Sequence, residues 1–230
     1  MREGPVAGEP VVSEPVVSEP VVSEPVVPRS PAGRRDAVRN YHRVLNAARE
    51  VLGESGADAS MEEIAARAGV GVGTVYRRFA NKDALIDELV RLSLAEALAE
   101  ARQALACPGG DGLEQLLRGL GALFAAHAKY AHLLLERSAD RAAAREIRAA
   151  ARELTSRALA AGTLNPGVTV GDVMALVWGM RGLTETTGEV APGTWQRFLD
   201  IHLAGLRTPG PVSATPSMSA GQLAELLPRP

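Results

Sequence analysis

The stretch Ser60-Met-Glu-Glu-Ile-Ala-Ala-Arg-Ala-Gly-Val-Gly-Val-Gly-Thr-Val-Tyr-Arg-Arg-Phe-Ala-Asn-Lys82 decides how the rest of the chain is read. Ser60 followed by Glu63 is a capping box: each side chain satisfies the other residue's backbone N–H, so a helix opens there. Ile64, Ala65 and Ala68 give that helix an apolar side, and Gly69 stops it after about eight residues. A tight turn, Ala68-Gly69-Val70, leads to a second short helix from about Val72 to Arg78. Val72 and Val75 are expected to face inward and hold this helix on its partner. Its outer side offers Thr74, Tyr76, Arg77 and Arg78. The arrangement suits double-stranded DNA, because one α-helix fits the major groove and its N-terminal residues meet base edges. Gly71 and Gly73 add no bulk at that end. Thr74 is a candidate base or phosphate contact. The Tyr76 hydroxyl suits a phosphate, and Arg77 and Arg78 bring charge, one of them able to read a guanine edge. Ser60 belongs to the same candidate surface. Lys82 opens the next helix, where the helix dipole already favours an anion. A helix–glycine turn–helix also builds bundles that never meet DNA, so geometry alone leaves both readings open.

Charge sharpens the choice. The whole chain carries a net charge of −2, which is not that of a nucleic-acid binder. Residues 34–82, however, hold eight Arg and one Lys against six acids, a local +3, and local charge is what a phosphate backbone feels. Residues 1–33 hold Arg2 and Arg29 against Glu3, Glu9, Glu14, Glu19 and Glu24, a local −3. In that tract Glu-Pro-Val-Val-Ser runs three times from Glu9 to Ser23, followed by a degraded copy. A proline every five residues forbids a stable helix, so a disordered or polyproline-II-like tail is expected, closed off by Pro31 and Gly33.

The run Gly73-Thr-Val-Tyr-Arg-Arg-Phe79 followed by Asn81-Lys-Asp-Ala-Leu85 is more specific than a generic helix-turn-helix. It resembles the N-terminal domain of TetR-type transcriptional regulators, strongly over Arg34 to Leu89 and only in outline beyond. The resemblance implies a homodimer that binds a palindromic operator, usually represses, and is released when a small effector binds the C-terminal domain. It also implies DNA contacts from Thr74, Tyr76, Arg77 and Lys82. Arg34 and Arg35 take the place of the basic arm that often precedes the family's first helix. The acidic, proline-rich extension before that arm departs from the family pattern.

Working outward, apolar spacing predicts an all-α protein of about nine helices. Val38, Tyr41, Leu45, Ala48 and Leu52 mark the inner face of a first helix that begins near Asp36. Asn81 caps the helix after the motif, with Leu85, Ile86, Leu89 and Leu92 inward. Asp111 with Glu114, then Thr169, then Thr194 are expected caps of later helices, and another runs from about Arg141 to Ala161. The expected organisation is a tail (1–33), a DNA-binding domain (34–82), a helical regulatory and dimerisation domain (83–207) and a loose C-terminal tail (208–230). In the last, Gly221 to Leu227 is a candidate helical turn.

In the second half, Val173, Val177 and Met180 on one helix and Trp195, Phe198, Leu199, His202 and Leu206 on the last are candidates for a dimer seam, since two helices per subunit make a four-helix bundle across a two-fold axis. The same periodicity is equally met by burial inside one subunit, because a stripe marks a buried face and not what covers it. His127, Tyr130, Met174, Trp178 and Arg181, with His132, Arg137 and Glu185, are the polar, aromatic or flexible residues available to line an effector pocket. Against that, each histidine reads as well as a surface or satisfied core residue, and Arg181 is placed to pair with Glu185 at i,i+4.

Other classes are disfavoured. There is no Gly-rich phosphate loop, no Gly-x-Ser-x-Gly elbow and no His-x-x-x-His metal pair, so no catalytic residue, cofactor or metal is expected. The alternatives are a regulator without a ligand switch and a helical interaction protein with a vestigial DNA-binding head. The single cysteine, Cys107, the absence of a secretion-type start and the lack of any apolar run near ~20 residues point to a reducing, cytoplasmic setting with no membrane partner.

Overall fold

The computed structural model describes residues 31–128 and 141–226. Among them the chain forms nine α-helices and no strand: α1 (Pro31–Ser55), α2 (Met61–Ala68), α3 (Val72–Arg78), α4 (Lys82–Ala106), α5 (Gly112–His127), α6 (Arg141–Ala160), α7 (Val170–Thr187), α8 (Thr194–Arg207) and α9 (Ala220–Glu225), with a 3-10 turn at Gly56–Asp58. The all-α class expected from the spacing is the class observed. The Glu-Pro-Val-Val-Ser repeats lie outside the described residues. Pro31 to Gly33 do not close a tail but begin α1. Proline is tolerated at the first position of a helix, where its missing N–H has no helical acceptor to lose.

Two hydrophobic clusters organise the chain. In the head, Leu45, Ala48 and Leu52 of α1 meet Ile64 of α2, Val75 of α3 and Phe79. Leu85, Ile86, Leu89 and Val90 of α4 belong to this same cluster, so the head's packing extends past the expected boundary at Lys82. Val38, assigned inward by spacing, is 57% exposed. In the body, Ala101 and Ala104 near the other end of α4 pack with Leu113, Leu116 and Leu117 of α5, Leu154 of α6 and Leu176 of α7. α4 is therefore one continuous helix with one end in each core. Around it, α5 and α6 pack on α4, α7 and α8 pack on α5, and α7 and α8 pack on each other.

Several ends differ from the sequence reading. Asp111 makes no side-chain cap, and Glu114 instead bonds Arg118 and Arg207. Thr194 is the first residue of α8 rather than its cap, the N-cap being Gly193, which has no side chain to accept from the first-turn N–H groups. Thr169 does cap α7, with Asp172 as its capping-box partner. The helical turn considered near the C-terminus is α9, capped by Ser219 and Gln222. Cys107 ends α4, half-buried, and its thiol bonds the Gln115 carboxamide oxygen.

Candidate nucleic-acid interface

Local chemistry builds the helix-turn-helix. Both halves of the capping box form: Ser60 N–H donates to Glu63 Oε2 at 2.9 Å, and Glu63 N–H donates to Ser60 Oγ at 3.2 Å. That holds the Glu63 carboxyl below the usual carboxylate range, chiefly through the bond from the Ser60 backbone. Gly69 ends α2 in the left-handed region, with φ 62°, which a β-carbon would strain. Arg43 from α1 donates to the Gly69 carbonyl at 3.3 Å. α3 is seated by Val75, fully buried, and by Phe79 just beyond its end.

The outer side of α3 carries the candidate contacts. Tyr76 is 45% exposed, with its hydroxyl 3.5 Å from Glu62 Oε1. Arg77 is exposed and donates to Thr74 Oγ1 at 3.0 Å. Arg78 is exposed and lies over the Tyr41 ring, 4.9 Å from its centroid. Lys82 begins α4 and donates to the Ala59 carbonyl at 3.0 Å, tying α4 to the segment before α2. Ser60 is half-buried with its hydroxyl in the capping box. Arg34 and Arg35 are exposed in the first turns of α1. Val72, expected to face inward, is exposed at 38%. α3 has only seven residues, and Val75 is the one among them that is buried.

Beneath α3 lies a support that the sequence reading did not find. The Tyr41 hydroxyl donates to Glu88, and the Tyr41 ring stacks on Phe79 at 6.2 Å. Glu88 also receives two bonds from Arg91, at 2.7 and 2.8 Å, and these pull its carboxyl down to about 2. Burial pushes the Tyr41 phenol up, and Glu88 adds to the shift. Tyr41 and Glu88 are 47 residues apart, so no periodicity or local motif could have joined them.

In the body, the residues offered for an effector site lie, where described, on α5 and α7. His127 ends α5, bonded to Ser93 at 3.2 Å and paired with Glu96 at 3.3 Å, and burial pushes its imidazole down. Met174 and Trp178 are half-buried on α7. Arg181 pairs with Glu185 at 2.9 Å, the i,i+4 arrangement weighed against a ligand role. Tyr130, His132 and Arg137 lie outside the described residues.

The dimer candidates divide. Val173, Met180, Trp195 and Leu199 are buried inside this one chain, with 8% exposure at most, and so are corrected from seam to subunit core. Val177, Phe198 and Leu206 are half-buried, and His202 is exposed. No group of three His, Cys, Asp or Glu that would hold a metal occurs among the described residues, and no described helix is long and apolar enough to cross a membrane.

The comparisons agree with this geometry. A TetR transcription regulatory protein of Mycobacterium vanbaalenii, whose crystal structure is known, is 31% identical over 76% of this chain and 99% of its own, with a TM-score of 0.54. The chain belongs to the TetR family of transcriptional regulators. Residues 44–89 match the family of bacterial regulatory proteins of the tetR type, and residues 110–208 match the SbtR-like C-terminal domain of transcriptional regulators. A TetR regulator of Streptomyces coelicolor is 29% identical, covering 72% of this chain and 97% of its own, with a TM-score of 0.54. Among curated proteins, the HTH-type transcriptional regulator UidR of Escherichia coli K12 is 40% identical over 62 residues, 26% of this chain. The match spans about a third of UidR's length, 32%. These relatives are regulators and not enzymes. The TetR-type helix-turn-helix of this chain is α2–turn–α3.

Proposed function

We propose that this TetR-family protein binds a palindromic operator as a homodimer, represses transcription there, and is released by a small effector bound in its body. The observation that carries the DNA-binding part is α3. It is seated by Val75 and Phe79, and it presents Thr74, Tyr76, Arg77 and Arg78 outward from a region of local positive charge. Arg77 and Arg78 position the helix through phosphates, with one of them available to a guanine edge. Lys82 and Ser60 complete the proposed surface, and Arg34 and Arg35 are proposed as separate DNA contacts from the arm before it.

The pairing of two copies runs through the outer sides of α7 and α8. These helices already pack together and leave half-buried Val177, Phe198 and Leu206 beside exposed His202 and Ile201. α4 supports the release step, since one rigid helix has its first turns in the head core and its last in the body core. His127, Met174, Trp178 and Arg181 are the described residues offered to an effector. The cytoplasm is the proposed location.

The test is a footprint of the full chain on the DNA upstream of its own gene. The combined variant Tyr76→Ala, Arg77→Ala is expected to weaken binding by about a hundredfold or more while circular dichroism and the gel-filtration volume stay unchanged. The slope of log affinity against log salt should fall by about one for each phosphate contact removed. A footprint that survives both substitutions overturns the assignment of α3.

A further inference from the structure

The exposure of Val72 marks more than a misplaced inward residue. Gly71, Val72 and Gly73 are all exposed at the start of α3. A β-carbon built on Gly71 or on Gly73 would meet nothing within 4 Å. The first turn of α3 therefore presents one branched apolar side chain between two stretches of bare backbone. The other outward residues nearby already have polar partners: Thr74 accepts from Arg77, and Tyr76 reaches Glu62. Val72 contributes no buried contact to the head core, which holds α3 through Val75 and Phe79 instead. In the major groove, base edges offer donors and acceptors almost everywhere. The one apolar feature they offer is the C5-methyl group of thymine.

We infer that Val72 is a specificity-determining residue of the recognition helix, packing on a thymine methyl, with Gly71 and Gly73 allowing the backbone to come close enough for that contact. The inference rests on the reading that α3 enters the major groove. It adds the class of base read, an A·T pair with thymine on the contacted strand, and the residue that reads it. Removing a neighbour's bulk at both sides matters here, because a methyl contact has the short range of dispersion and is lost by a fraction of an ångström.

The experiment removes only the methyl. An operator is selected by the full-length protein from a random DNA library. Each thymine of a half-site is then replaced in turn by deoxyuridine, which keeps the base pairing and every hydrogen-bonding edge. At one position the wild-type protein should bind about fourfold more weakly, the value expected for one lost buried methyl group. Val72→Ala should bind the thymine and deoxyuridine operators equally, and about as well as wild type binds the deoxyuridine form. That second equality also shows that the variant is folded. Val72→Ile should keep the sensitivity. The inference is overturned if no thymine in the half-site is sensitive, or if Val72→Ala loses as much as wild type at the sensitive position. A protein that selects no operator at all overturns the parent reading of α3, an outcome separate from a bound operator that ignores its methyl groups.

Discussion

The head and the body treat their arginines differently. On α3, Arg77 bonds a hydroxyl, Thr74 Oγ1, and Arg78 lies over a neutral ring, Tyr41. Glu88 feels Arg78 only as the weakest of the influences on its carboxyl. In the body, Arg118 pairs with Asp200 at 2.8 Å, Arg157 with Glu153 at 2.8 Å, and Arg207 with Glu114. The body's partners cancel charge, whereas the partners of α3 orient it and leave it uncancelled. A chain of net charge −2 can present a positive face to phosphate in this way. Each region also has exceptions. In the head, Arg67 is neutralised by Glu50 and Glu54. In the body, Arg145, Arg148 and Arg152 on α6 have no carboxylate partner among the described residues, and burial, followed by the like charges beside it, lowers the Arg148 pKa.

The two regions also differ in what holds them, and substitution of their glycines separates the two. Gly121 in α5 sits against Trp195 of α8 and Met180 of α7. A β-carbon there would overlap the Trp195 ring and lie 2.9 Å from Met180 Sδ. Gly121→Ala is expected to destabilise the chain by about 2–3 kcal/mol, because a rigid ring in a filled core cannot give way. Gly182 lies on the exposed side of α7 with nothing within 4 Å, so Gly182→Ala should instead stabilise by about 0.5–1 kcal/mol. Thermal denaturation of both variants checks this, and equal shifts would sink the claim that packing decides. In the head the corresponding constraint is backbone conformation. Gly69→Ala should cost about 1–2 kcal/mol through its left-handed φ of 62°. The Arg43 guanidinium, 2.5 Å from the added carbon, is the flexible part that moves. Operator affinity should fall along with the melting temperature, since Gly69 sets the angle between α2 and α3.

That difference explains which features the sequence made legible. The Ser60–Glu63 box, the Gly69 stop and the Asn81 cap, which accepts from Ala84 N–H at 2.8 Å, are contacts between residues three or four apart, and a reader of one sequence can find them. Glu114 looked like the same kind of residue. Its carboxylate is taken by Arg207, 93 residues away, and no local pattern announces that. The spacing of Trp195 and Leu199 was legible as a buried face, but the partner was the chain's own core, with Leu199 fully buried. Val72 was misread because α3 contributes a single buried residue, Val75, which is too little for a period to be fixed. The Tyr41–Glu88–Arg91 support of α3 required the fold itself.

Acid should expose the junction between the two regions before it reaches the head. His127 of α5 faces Ser93 and Glu96 of α4, and Arg49 of α1 pairs with Glu96 at 3.7 Å. Burial lowers the His127 pKa most, Arg49 lowers it further, and Glu96 opposes them. The folded protein thus binds that proton less readily than the unfolded chain, whose imidazole titrates near 6.5. The stabilising contribution is complete above pH 6.5 and is lost as pH falls towards the depressed value. Glu88 has the same sign at lower pH: its contribution is full above the ordinary carboxylate value of 4.5 and is lost as pH falls towards about 2. Melting temperature against pH should therefore show an upper step that vanishes in His127→Gln and a lower one that vanishes in Glu88→Gln. A single acid limb untouched by His127→Gln would overturn the order.

Arg148 tests the exception in the body with the smallest expected effect. On α6 it stands three residues after Arg145 and four before Arg152, the two spacings that bring helical side chains together. Burial is the larger cause of its lowered pKa, and the like charges of Arg152 and Arg145 follow. The paired arginines of the body lose a carboxylate contact when replaced, so their loss destabilises. Arg148 has no such contact among the described residues, and its replacement relieves repulsion on both sides. Arg148→Gln should leave the melting temperature unchanged or raise it by an amount equivalent to about 0.5 kcal/mol, the size of a like-charge pair at this spacing. Part of that gain is offset by the packing of the arginine stem that glutamine only partly replaces. Lowering the salt concentration should enlarge the difference, because repulsion between charges that reach solvent is screened over about 10 Å at 0.1 M. Arg157→Gln under the same conditions should shift the other way, and a matching loss in both variants would mean that charge pairing does not distinguish the arginines of α6.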